Sequence, residues 1–231
     1  MSYIKFRGVS TASMAGVVVA QMPSHKKARM RYVDYEIPAR DGDLHMLEGY
    51  ASFDIQCALR LVKNDATARQ VINAWADGTG DLVLSDDPTK CYKATVLGEV
   101  LWTRDTGNEK FYDTATISFH CQPIMKETTP SEYNFTSSGT IINLGDVDAL
   151  PLIEVTGSGT CKFTVGGSEI ILSGVQSSNH VFIDSEAGYV YTSGGMATMV
   201  GNFPVIPLGT SAVTITSGVT NLKITPRWGW V

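Results

Sequence analysis

Ser52-Phe53-Asp54-Ile55-Gln56-Cys57-Ala58-Leu59-Arg60-Leu61 alternates strictly, with Phe53, Ile55, Cys57, Leu59 and Leu61 on one side of an extended chain and the polar or small residues on the other. A period of two gives a long strand with one buried face, since a helix would scatter these apolar side chains around its circumference. The same period recurs nearby: Phe111, Ala115, Ile117, Phe119 and Cys121 alternate with Tyr112, Thr114, Thr116, Ser118 and His120. Ala94, Val96, Val100 and Trp102 make a third strand pattern, interrupted at Gly98 in the manner of a bulge. Between these strands one helix is predicted: Asn64 or Asp65 caps it, Ala68, Val71, Ile72 and Trp75 fall on one face, and Gly78 ends it. Residues 15–20 read as a further strand. Lys5 and Arg7 followed by an apolar run imitate a secretory leader, but Pro23 and the basic cluster His25, Lys26, Lys27, Arg29 and Arg31 follow, with no small-x-small junction.

The chain of 231 residues and 25.0 kDa is 43% hydrophobic, enough for one large or two modest cores and unlike a disordered or fibrous protein. Its composition is uneven. Residues 1–125 hold 14 basic and 15 acidic residues, and 126–231 hold only 4 and 8. Gly, Ser and Thr rise from 24 of the first 125 residues to 40 of the last 106, which marks a domain boundary. Residues 126–140 lack periodicity and are expected to be the linker between a domain at 1–125 and another at 141–231.

Beyond that linker, turn signals are dense: Gly157-Ser158-Gly159, Gly166-Gly167, Gly194-Gly195, Asn202, Pro207 and Gly209, and Ser217-Gly218. They divide short β-branched or aromatic runs at 161–165, 169–172, 180–184, 189–191, 212–216 and 222–225, the pattern of a sandwich or jelly roll. Val165-Gly166-Gly167-Ser168 reads as a two-residue hairpin. The longest uncharged stretch, 187–222, contains 6 Gly, 2 Pro and 9 Ser or Thr, so no membrane span is expected.

A net charge of −5 disfavours nucleic-acid binding by the whole chain. Cys57, Cys91, Cys121 and Cys161 are 34, 30 and 40 residues apart, without metal-ligand spacing; they read as buried free thiols of a chain folded in a reducing cytoplasm. Nucleophile-elbow, zinc-protease, phosphate-loop and dinucleotide motifs are absent, and none of His25, His45, His120 and His180 has a sequence-local partner. The close carboxylates Asp41 and Asp43, and Asp146 and Asp148, do not extend to a calcium-loop pattern. No catalytic residue, metal site or cofactor is therefore expected. Tyr189, Tyr191, Trp228 and Trp230 offer the surface of a saccharide-binding sandwich as an alternative, with core or interface packing as the plainer role.

Several segments together resemble the distal tail protein family of long-tailed bacteriophages. In the first domain these are Ile37-Pro38-Ala39-Arg40-Asp41-Gly42, Trp75 with Gly78, Leu82-Val83-Leu84-Ser85-Asp86-Asp87-Pro88 leading to Tyr92-Lys93-Ala94, and Phe119-His120-Cys121-Gln122-Pro123. In the second they are Pro151-Leu152-Ile153-Glu154-Val155, Ile183-Asp184-Ser185-Glu186, Gly201-Asn202-Phe203-Pro204 and Ile224-Thr225-Pro226-Arg227. Ala39 departs from the family pattern, which often has Gly between the Pro and the Arg.

The resemblance implies a mainly β chain: an N-terminal β-rich belt domain with one helix that assembles into a hexameric ring, then a C-terminal galectin-like β-sandwich. It implies a structural, non-enzymatic virion protein, a hub joining tail tube to tail tip or baseplate and supporting host adsorption. The partners it implies are further copies of the chain, the tail tube protein and the tail tip protein, with a receptor-binding protein as a further candidate. The implied location is the virion tail, after synthesis in the bacterial host cytoplasm. Long strand edges need pairing, which a closed ring supplies by a heterologous contact. Arg40, Asp41, Asp86 and Asp87, on charged turns that can set register, are the candidates for polar contacts near that seam, with local turn stabilisation as the plainer role of each residue alone.

Overall fold

The computed structural model describes residues 2–62, 66–105, 112–194 and 197–231, and the chain divides into two compact units, Met1–Thr128 and Thr129–Trp230. The expected cap residues Asn64 and Asp65, Phe111 and Gly195 lie outside the described residues.

The first unit contains β1 (Ile4–Phe6), β2 (Val9–Ser10), β3 (Val17–Gln21), β4 (Met30–Glu36), β5 (Asp43–Tyr50), β6 (Phe53–Leu61), α1 (Ala66–Trp75), β7 (Thr79–Leu84), β8 (Lys90–Val96), β9 (Leu101–Asp105), β10 (Tyr112–Cys121) and β11 (Lys126–Glu127). Seven strands run in the order β2-β1-β7-β8-β10-β6-β3, with β9 beside β10 and β11 beside β8. β6 and β10 pair antiparallel from Arg60 opposite Thr114 to Phe53 opposite Cys121, so their period-two faces coincide. Ile55, Cys57, Leu59 and Leu61 meet Ala115, Ile117, Phe119 and Cys121 in one core, each at most 1% exposed.

At Gly98 the strand breaks: residues 97–100 lie opposite only 117–118 of β10, two extra residues that divide β8 from β9. This is the disturbance the glycine announced, larger than a one-residue bulge. Helix α1 buries Ala68, Ile72 and Trp75. Val71, expected on the same face, is 44% exposed, because the buried stripe is narrower than the pattern of apolar residues. The ring of Trp75 meets Phe6 and Phe119 edge-on at centroid distances of 6.0 and 5.9 Å, and its Nε1 donates to the Val9 carbonyl. Asp113 of β10, 4% exposed, accepts ion pairs from Arg69 of α1 at 2.7 Å and Arg104 of β9 at 2.9 Å, which hold its carboxyl below the usual range.

The second unit contains β12 (Tyr133–Phe135), β13 (Gly139–Asn143), β14 (Leu152–Val165), β15 (Ser168–Val175), β16 (Val181–Asp184), β17 (Tyr189–Thr192), β18 (Thr198–Gly201) and β19 (Gly209–Thr225). Residues 126–140, expected as linker, carry β11, β12 and the start of β13. The short runs expected at 161–165, 212–216 and 222–225 belong to two long strands: β14 takes in the first, and β19 joins the other two. Their ladder slips register at Thr156/Gly157, Gly157/Lys162 and Lys162/Phe163. On one side of the slip the order is β12-β19-β14-β16-β17, on the other β13-β19-β14-β15-β18, and both leaves contribute to one core.

The glycines read as turns are what allow that slip. A Cβ on Gly157 would lie 2.2 Å from the Gly218 carbonyl oxygen, and one on Gly218, whose φ is +71°, would lie 2.2 Å from that of Thr160. Backbones this close exclude any side chain. The hairpin at Gly166 and Gly167 forms as expected, with φ of 57° and 85° and Val165 paired to Ser168.

Candidate functional site

β4 and β5 pair only with each other among the described strands, forming a two-stranded ribbon between residues 30 and 50. Its register places Val33 opposite Met46 and Tyr35 opposite Leu44 on one face. Tyr35, Leu44 and Met46 are 49%, 47% and 57% exposed, so this face is apolar and open. The other face pairs Tyr32 with Leu47, Asp34 with His45, and Glu36 with Asp43. An isolated hairpin is at best marginal in water, and an apolar face left open adds to that cost.

Arg40 and Asp41 are exposed in the turn at the ribbon tip. The turn closes with the Arg40 amide donating to the Ile37 carbonyl at 3.1 Å, with Ala39 at φ +64° and Gly42 at φ +78°. Ala39 thus stands in the left-handed region, the reason a Gly suits this position. Glu36, Ile37, Pro38, Arg40, Gly42 and Asp43 line a shallow depression of about 350 Å³ there.

Asp86 and Asp87 lie elsewhere, in the turn between β7 and β8, and both are engaged within the chain. Asp86 pairs with His25. Asp87 accepts the amide and hydroxyl of Thr89, and these bonds, with Lys90 at 3.4 Å, hold its carboxyl below the ordinary value. The fold does not bring the two pairs of seam residues into one hydrogen-bonded cluster.

Each histidine gains a carboxylate that sequence could not supply, because the partners come from other segments: His25 with Asp86, His45 with Asp34 at 2.5 Å, His120 with Asp54 at 2.8 Å and His180 with Glu154. The Asp34 carboxylate raises the His45 pKa above its ordinary value. Among the described residues, no hydroxyl or thiol sits on the second nitrogen of any of these rings. No three His, Cys, Asp or Glu side chains converge to hold a metal, again among the described residues. All four cysteines are buried and free, and burial pushes the thiols of Cys57 and Cys121 up to about 12.

Of the four aromatic residues considered for saccharide, Trp228 is fully buried in the second core and Trp230 packs against it. Tyr189 and Tyr191 remain outside, 52% and 40% exposed. Phe182 and Tyr191 are opposite one another and stack at 4.8 Å, so one face of each ring is already covered. Among the described residues, no helix is long and apolar enough to cross a membrane.

The features defined so far are those of a two-domain, mainly β chain, with a free two-stranded ribbon in its first domain and a bulge-bent pair of sheets in its second. This is the fold of the SPP1 Dit (gp 19.1) protein, described as a paradigm of the hub adsorption apparatus in phages infecting Gram-positive bacteria; the TM-score is 0.75 over 100% of both chains, at 13% identity. Similarity also extends to a chain of the phage P2 baseplate in its activated conformation with calcium, at TM-score 0.46 and 9% identity over 96% of this chain and 97% of the other. No family model and no curated protein sequence matches the chain.

Proposed function

We propose that the chain is a structural subunit of a phage tail hub, assembling as a hexameric ring between tail tube and tail tip and supporting host adsorption. The observation that carries this reading is the fold shared with SPP1 Dit over the full length of both chains. The ribbon supports it from within the molecule. Tyr35, Ile37, Leu44 and Met46 are 49%, 40%, 47% and 57% exposed, apolar surface whose removal from water favours a contact. A neighbouring copy covers such a face without exposing a new one, provided the contact is heterologous and the series closes. In this reading residues 1–125 are the ring-forming belt and 141–231 a galectin-like sandwich. Arg40 and Asp41 at the ribbon tip, with Asp86 and Asp87, set polar contacts at the seam. The protein has no catalytic role, and its place is the virion tail, after synthesis in the host cytoplasm.

Native mass measurement with negative-stain imaging tests the ring. Six-fold particles with a central channel are expected, alone or on addition of tail tube protein, and monomers under both conditions would refute it. Charge reversal at Arg40 should weaken the particles while leaving circular dichroism unchanged. The exposed Tyr189 and Tyr191 keep one other reading in view, a cell-wall saccharide-binding module. Selective signals on a glycan array that vanish in Tyr191→Ala would favour it.

A further inference from the structure

The charges of the ribbon are segregated by face and by end. At its tip Glu36 lies directly opposite Asp43, with Asp34 two residues away on the same face and Asp41 in the turn. Directly opposed like charges destabilise a hairpin. Neither Glu36 nor Asp43 has an ion-paired cation among the described residues, and His45 is held by Asp34. Arg40 is the single guanidinium of the tip.

At the other end Lys27, Arg29 and Arg31 follow one another at every second residue, all exposed and without an ion pair among the described residues. Only Glu48, the extra residue where the β4–β5 register slips, opposes them on the ribbon. Arg31 shares the side of β4 that carries Val33 and Tyr35, the apolar face, whereas Glu36 and Asp43 belong to the opposite face. Five residues separate Arg31 from Glu36, about 17 Å of extended chain, well beyond the screening length of roughly 8–10 Å at physiological salt. Within one copy the two ends therefore do not neutralise each other.

We infer that in the assembled hub the basic end of one ribbon overlaps the acidic tip of the next, so that Lys27, Arg29 and Arg31 of one copy meet Glu36 and Asp43 of its neighbour. This head-to-tail overlap joins opposite charges and relieves the Glu36–Asp43 opposition. The pairing sets direction and register. The inference rests on the ring reading above and names the surfaces that make the ring.

The test uses the full chain in three forms: Glu36→Lys with Asp43→Lys, Arg29→Glu with Arg31→Glu, and all four reversals together. Circular dichroism and amide exchange over 30–50 establish that each ribbon is formed. Sedimentation is expected to show each double variant at least tenfold weaker in self-association than the unmodified chain. An equimolar mixture of the two double variants should assemble again, with equal numbers of each by native mass spectrometry, and so should the fourfold variant alone. Raising salt should weaken the unmodified chain and leave less effect in either double variant. If the unmodified chain assembles and the double variants assemble equally well, or if folded double variants fail to recover on mixing and in the fourfold form, the charge pairing is wrong and the ring stands. If the unmodified chain never assembles, with or without tube protein, both fall.

Discussion

Arg227→Ala would open the ion pair that fastens the end of β19 to β16. Arg227 grips Asp184 with two bonds, Nη1 to Oδ1 at 2.7 Å and Nη2 to Oδ2 at 2.9 Å, and also reaches Glu186 at 3.3 Å. The Asp184 side chain is 11% exposed and that of Arg227 24%. Removing one partner of a fully buried pair costs about 3–5 kcal/mol. Here Asp184 keeps the amides of Glu186 and Ala187 as donors, and the exposed Glu186 contributes little, so a loss of roughly 2–3 kcal/mol is expected at pH 7. Arg227 sits at φ +59°, and Ala carries the same backbone penalty there, so the difference isolates the side chain. The Arg227 bonds are the first cause holding the Asp184 carboxyl below its ordinary value. A depressed carboxylate contributes stability that is complete above its unfolded pKa of about 3.9 and is lost as pH falls through the folded value. The gap between the two proteins should therefore narrow to under about 1 kcal/mol once Asp184 is protonated. Urea unfolding of the full chain, read from the amide resonances of 181–184 and 222–225 at pH 7 and in acid, measures both numbers. A gap below about 0.5 kcal/mol at pH 7, or one of equal size where Asp184 titrates as protonated, would refute the reasoning.

Ala39→Gly should stabilise the ribbon by about 1 kcal/mol, because it removes a left-handed Ala; slower amide exchange over 30–50 is the readout, and faster exchange would contradict it. Gly218→Ala should cost at least about 3 kcal/mol, combining a positive φ with a Cβ 2.2 Å from the Thr160 oxygen, and a melting temperature unchanged within error would show that the slip in the β14–β19 ladder tolerates side chains. Ile72→Ala should cost about 2–5 kcal/mol and Val71→Ala less than about 1, since the first is fully buried and the second 44% exposed; equal losses in thermal unfolding would place the helix face wrongly.

Strands read from strict alternation survive intact because one face is buried along their whole length, as β6 and β10 show with Cys57 opposite Ile117 and Phe53 opposite Cys121. Glycine carries two meanings that spacing does not separate. At 166–167 it makes the expected hairpin, whereas at 157 and 218 it lets two backbones approach within one continuous ladder, and the runs at 212–216 and 222–225 become one strand. The histidine partners were illegible because each carboxylate lies 11 to 66 residues away. The ribbon left a usable signal: Val33 and Tyr35 alternate before Asp41-Gly42, and Leu44 and Met46 alternate after it, a hairpin arrangement that the charged cluster at 25–31 obscured. Asp86 and Asp87 were legible as a charged turn, but their bonds to His25 and Thr89 come from the fold and its turn chemistry.

The position of β19 in its sheets has a consequence for the order of synthesis. It pairs with β12, β13 and β14, so the strand formed by residues 209–225 is central in space although every other strand of its domain precedes it in the chain. The first unit can close its core once residue 128 has left the ribosome, while the second must wait with β12, β13 and β14 unpaired along one edge. During that interval an exposed ladder of up to 14 residues is open to any other nascent chain.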